Sequence, residues 1–184
     1  IIAFAPVYMT VICGYTQESL GNVIFIVGWG TVVYAVFIPR LSDYLGRKPV
    51  LLIFLALLAI GAFVMGFFPT QRVWSVPAIA YILIGGMTGC FGPIAWNIIP
   101  MESVPLHLKA TSCGVVLGIA ELIGGGLSPS LGGIIADAYG LPSAFIAVGI
   151  IVVIGFVAAL FLTETLPAQV RAKETALTKA TANA

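Results

Sequence analysis

Six stretches of the chain are apolar over about the length of a membrane-crossing helix, and charged, proline or turn-forming residues punctuate them. They are 1–16, 20–39, 49–68, 74–97, 110–136 and 142–163. Since a helix needs about 20 mostly apolar residues to cross a hydrocarbon core, the pattern predicts an all-α membrane protein with six transmembrane helices over residues 1–163. Residues 164–184 then form a polar tail. Arg171, Lys173, Glu174 and Lys179 lie there among Ala and Thr, so the tail is expected to be solvated, as a frayed or short interfacial helix. The first stretch is shorter than the others and has neither an initiator Met nor a flanking charge. It is expected to be the remainder of a span in a longer protein rather than a signal peptide, because no basic start precedes it and no small-residue cleavage site closes it.

Composition agrees. With 60% hydrophobic and 8% charged residues and a mean hydropathy of +1.14, the chain cannot cover a soluble surface, which normally carries about 25% charged residues. A soluble enzyme is excluded. A net charge of +1 offers no basic stripe for nucleic acid. Cys13, Cys90 and Cys113 all fall in apolar runs and read as small buried hydrophobes rather than a disulfide framework. No phosphate-binding G-x-x-x-x-G-K, G-x-S-x-G elbow or metal-spaced His or Cys pair is present. Neither an enzyme nor a bound cofactor is expected, and uphill transport would have to draw on an ion gradient.

Basic residues near span ends stay on the cytoplasmic side. Arg40, Arg47 and Lys48 follow the second span, Lys109 follows the fourth, and Arg171, Lys173 and Lys179 follow the sixth. Only Arg72 falls on the opposite side. Six spans with a cytoplasmic tail is the arrangement that segregates these charges. The chain also repeats itself: Asp43 and Gly46 after the second span align with Asp137 and Gly140 after the fifth, at an offset of 94 residues. That offset pairs spans one to three with spans four to six. With three spans per copy, the two repeats must be inverted across the membrane.

The stretch Arg40-Leu41-Ser42-Asp43-Tyr44-Leu45-Gly46-Arg47-Lys48 resembles the signature loop of the major facilitator superfamily, G-x-x-x-D-x-x-G-R-K/R, with Pro39 in place of the first Gly. Glu102-Ser103-Val104-Pro105-Leu106-His107-Leu108-Lys109 is similar to that family's second cytoplasmic pattern, E-x-x-P-x-x-x-R, with Lys109 keeping the charge but not the bidentate fork of arginine. A Gly-rich run from Gly124 through Pro129 to Gly132 and Gly133 resembles the G-P-x-x-G-G motif of family antiporters, with Ser128 where Gly is usual. The resemblance covers the whole chain as one half-bundle, equivalent to the carboxyl-terminal six helices of a twelve-helix transporter. It implies a missing amino-terminal six-helix half as partner, in the plasma membrane.

In such transporters the loop acts as a charged latch between helix bundles, a role that the resemblance carries to Asp43, Gly46, Arg47, Lys48 and Arg40. Read from the residues alone, Asp43 caps the start of the third span and the basic residues anchor topology. Glu102, Pro105 and Lys109 form the second motif. Glu121 is the one charge inside any span, and an ionised acid at mid-bilayer costs about 2.5–3.5 kcal/mol. It therefore reads as a proton carrier, or as a protonated packing group, on a face shared with Gly114, Gly118 and Gly125. Gly92-Pro93 in the fourth span and Pro129, Gly132 and Gly133 in the fifth mark helices that bend. Trp29, Thr31, Tyr34, Tyr81, Thr88 and Asn97 are candidates to line a cavity. His107, the sole histidine, reads as a loop residue. The expected function is proton-coupled symport of a small polar metabolite, a sugar or organic acid, by alternating access. Drug antiport, uniport and a non-transporting scaffold or receptor are the alternatives. Protons, lipid and a small-molecule substrate are the expected partners, and nucleic acid is not.

Overall fold

A computed structural model of the chain describes residues 4–68, 79–85 and 92–166. No strand occurs among them. Helix α1 (Ala5–Val11) carries Pro6 in its first turn, where a missing N–H costs nothing, and gives way to a turn at Gly14, whose φ is +69°. Thr16 then caps α2 (Gln17–Leu45), its hydroxyl accepting from the Ser19 N–H at 3.2 Å. Helix α3 (Arg47–Phe67) follows after a single residue, Gly46. A helical segment over 79–85 (α4) precedes a π-helical stretch, Gly92–Ile98, that runs into the short α5 (Ile99–Glu102). After a 3-10 turn at Leu106–Leu108 come α6 (Lys109–Ala120), a second π-helical stretch, Glu121–Leu127, and α7 (Ser128–Tyr139). Gly140 separates α7 from α8 (Leu141–Leu160).

Among the described residues four helical segments are long and apolar enough to cross a membrane: Gln17–Leu45, Arg47–Phe67, Leu106–Tyr139 and Leu141–Leu160. The first and fourth expected spans are described only in part. Two boundaries move. Pro39 was expected to close the second span, yet α2 continues through it to Leu45; the proline forfeits one ladder bond, and its own carbonyl accepts from the Ser42 hydroxyl at 2.7 Å. The fourth span was expected to stop at Asn97, whereas helix persists to Glu102.

The third element of each repeat, α3 and α8, forms the tightest pair, and they run antiparallel. A Cβ on Gly66 would collide with Ile146, and one on Gly149 would stand 2.8 Å from the Phe63 ring. Glycines on both helices thus set the close approach, as in other membrane helix pairs where van der Waals contact replaces the hydrophobic drive. Tyr8 of α1 packs edge-on against Phe145 of α8, with centroids 4.9 Å apart, and donates its hydroxyl to the Met65 carbonyl at 2.6 Å. One end of the bundle is closed by this apolar cluster. The ion pairs found among the described residues lie at the other end.

Candidate functional site

The charged end is built around Arg47. Its side chain is 8% exposed and reaches Asp43 Oδ1 at 2.6 Å through Nη1, one helical turn back along the chain. Nη1 also donates to Ser42 Oγ at 2.6 Å. The other edge of the guanidinium meets Glu102 as a fork, Nη2 to Oε1 at 3.0 Å and Nε to Oε2 at 3.3 Å. The two motifs therefore meet directly, through a bidentate geometry that lysine could not supply. Glu102 also accepts from the Thr165 hydroxyl at 2.9 Å.

Asp43 does not cap α3, as the sequence suggested; it lies in the last turn of α2, where a carboxylate faces the negative helix end and Arg47 offsets it. Glu164 takes the cap instead. Its Oε1 accepts from the Arg47 N–H at 2.8 Å and its Oε2 from the Lys48 N–H at 3.1 Å, while the Thr165 and Leu166 N–H groups each reach Oε1 at 3.0 Å. Burial works against this charge, but the hydrogen bonds from Leu166, Arg47, Lys48 and Thr165 outweigh it and hold the carboxyl below its ordinary range. Lys48 answers from the other side, donating Nζ to the Leu160 carbonyl at the end of α8 at 2.6 Å. Gly46 is required twice over: its φ is +106°, and a Cβ there would stand 2.6 Å from Glu164 Oε2. So Glu164, expected in the solvated tail, is docked on the loop.

The second copy of the loop keeps the backbone without the charges. Gly140 has φ +88° and ψ +158°, against +106° and +154° at Gly46, and its N–H returns to Ala136 as that of Gly46 returns to Ser42. Asp137 is exposed, and no basic residue pairs with it among the described residues.

Glu121 opens the second π-helical stretch. No residue of α6 or of that stretch is buried by the rest of the chain, so Glu121 faces outward. Its carboxylate lies forward along its own helix, Oε2 2.6 Å from where a Cβ on Gly125 would stand.

The sequence model of the Major Facilitator Superfamily matches residues 1–183. The chain belongs to that superfamily. Its multi-pass, all-α membrane fold follows from the family and from the apolar helices. It is 30% identical over 168 residues to the multidrug resistance protein MdtG of Proteus mirabilis, covering 89% of this chain and 40% of that protein. It is 28% identical over 138 residues to the uridine/deoxyuridine transporter of Lactococcus lactis subsp. cremoris, covering 72% of this chain and 26% of that protein. The chain thus spans about two fifths or less of the length of these curated relatives.

Set on this facilitator half-bundle, the remaining candidates scatter. Thr31 spends its hydroxyl on the carbonyls of Val27 and Gly85, at 3.0 and 3.2 Å, tying α2 to α4. Tyr34 packs on Phe54, and Tyr81, 3% exposed, lies in the cluster with Tyr8. Trp29 sits on the outer face of α2 against Phe25, 60% exposed. Asn97 is exposed, with its carbonyl near Cys113 Sγ at 3.6 Å. Thr88 lies outside the described residues. Arg40 and Lys109 enter no ion pair among the described residues, and Pro105 starts the 3-10 turn before Lys109. Pro93 lies in the first π-helical stretch, which begins at Gly92, and Pro129 follows the second. Gly132 receives the Phe4 ring, 2.8 Å from where a Cβ would stand, and Gly133 is open. Sequence reasoning missed Glu164, Thr165 and Ser42. The one available signal was that Glu164 is the first charge after the last apolar run.

Proposed function

We propose that the chain is the carboxyl-terminal half-bundle of a proton-coupled secondary transporter that moves small organic molecules by alternating access. The observation that carries this reading is the Arg47 cluster. A guanidinium 8% exposed, held by Asp43, Ser42 and Glu102 at once, ties the ends of α2, α3, α5 and the segment after α8 into one rigid block. Such a block is what a rocking half-bundle needs at the end that opens and closes. Within it, Asp43 remains 55% exposed and is the member free to engage the opposite half. The latch is therefore divided: Arg47, Glu102 and Glu164 stiffen this half, and Asp43 reaches across. By the distribution of basic residues this end is cytoplasmic.

Glu121 is the coupling group in this reading, the one carboxyl inside the six apolar runs of the sequence. For the cargo, the relative named for multidrug resistance matches more of the chain at slightly higher identity than the one named for uridine and deoxyuridine. Proton-coupled export is accordingly placed ahead of symport of a small polar metabolite. The test is uptake and efflux in proteoliposomes of the complete transporter under an imposed pH gradient, with ethidium, uridine, glucose and lactate as probes and Glu121→Gln beside the native protein. Proton-driven flux of one probe, abolished by the substitution, supports the reading. Flux indifferent to both the gradient and Glu121 makes the protein a uniporter and reduces Glu121 to packing.

A further inference from the structure

Why Glu121–Leu127 winds as a π-helix is explained two residues further on. In a ladder of i→i+5 bonds the Gly124 carbonyl would take the N–H of residue 129, which is a proline and has none. The Ser128 hydroxyl supplies the donor instead, 2.6 Å from the Gly124 carbonyl, while the Ser128 N–H reaches back five residues to Ile123. In the α register the orphan would be the Gly125 carbonyl, and the proline ring would press on it. The other π-helical stretch, Gly92–Ile98, has the same seven-residue length and also stops two residues before a proline, Pro100. A π turn inside an α-helix amounts to one residue more than the α ladder needs, and it can be taken up or released without breaking the helix.

Glu121 occupies the first position of this stretch, with its carboxylate over Gly125. Any side chain at 125 would displace it.

We propose that Glu121–Leu127 is a register switch that carries Glu121: slipping from π to α turns everything on its amino-terminal side by about 100° and about 1.5 Å relative to α7. That movement takes the carboxyl off the Gly125 notch and presents it to a different neighbour. Ser128 and Gly125 are positioning residues for the π end of the travel. What the movement accomplishes rests on the coupling role proposed above for Glu121; whether it happens does not.

The test uses the complete transporter in membranes, with Cys13, Cys90 and Cys113 replaced by alanine and single cysteines placed in turn along 114–121. Reactivity with N-ethylmaleimide is mapped in the native background and in Pro129→Ala, which restores a backbone donor at 129. The expected result is a reactivity maximum displaced by about one position, the angular equivalent of one residue. Ser128→Ala should displace it in the same sense, and Ser128→Thr, which keeps the hydroxyl, should restore the native profile. A profile unmoved in Pro129→Ala overturns the switch. Should Pro129→Ala fail to fold, Gly125→Ala serves: modification of Glu121 by dicyclohexylcarbodiimide, read by mass spectrometry at that residue, is expected to change several-fold, and an unchanged rate overturns the seating of the carboxyl. Loss of pH-gradient dependence without any shift in the profile would sink the switch alone. A shifted profile with Glu121→Gln still fully active would sink the coupling role alone.

Discussion

Gly46 and Gly140 hold nearly the same left-handed backbone, and each turns one long helix directly into the next. At Gly46 four carboxyl or hydroxyl groups, from Asp43, Ser42, Glu102 and Glu164, converge on Arg47. At Gly140 the residue after the glycine is Leu141, and the Ser143 hydroxyl contacts only carbonyls of the corner, those of Gly140 at 2.5 Å and Ile135 at 3.3 Å. The bend is thus a property of the repeat, and the charged cluster is an addition to one copy. What distinguishes the two ends of this half-bundle is side-chain chemistry laid on a shared corner.

The largest expected effect separates the two glycines. Alanine at either position meets about 1–3 kcal/mol of backbone strain, but only at 46 must it also displace the Glu164 carboxylate; the nearest atom to a Cβ at 140 is Pro142 Cδ, 3.8 Å away. Thermal unfolding of the complete transporter in detergent should therefore show Gly46→Ala well below Gly140→Ala. Equal losses would mean that the Glu164 clamp adds nothing.

Arg47→Lys comes next. It keeps the charge and loses the fork to Glu102, so it should cost about 1–3 kcal/mol by the same assay. A neutral result would reduce the cluster to a topology anchor.

Smaller still is Glu164→Gln, at about 1 kcal/mol near neutral pH once partial exposure is allowed for. Because the folded pKa of Glu164 is held below its ordinary 4.5, its stabilisation is present above that value and disappears as the pH falls through the lowered one. Melting curves of native protein and variant should differ at neutrality and converge in acid. A gap that persists at low pH would contradict the cap.

Much of this was legible in the sequence. Apolar runs bounded by charges located α2, α3 and α8, and the Asp-x-x-Gly spacing found both corners before any backbone angle was known. The helix ends were less legible: Pro39 and Asn97 look like boundaries, yet helix continues past them to Leu45 and to Glu102, since a proline removes one ladder bond and leaves the others in place. Glu164 was hidden for a different reason. Its partners are backbone N–H groups 116 and 117 residues away in the chain, and a backbone donor leaves no mark on a sequence. The π winding at Glu121 was half legible, since Pro129 marks a bend in the sequence but not the register of the helix before it.

The division of the latch is tested most directly by Asp43→Asn and Asp137→Asn in the complete transporter, each assayed for pH-gradient-driven flux of whichever probe proves to be cargo. The account predicts that Asp43→Asn lowers turnover about tenfold, about 1.4 kcal/mol on the barrier, with membrane insertion intact, while Asp137→Asn leaves turnover near native. Equal effects at both positions, or none at Asp43, would contradict it.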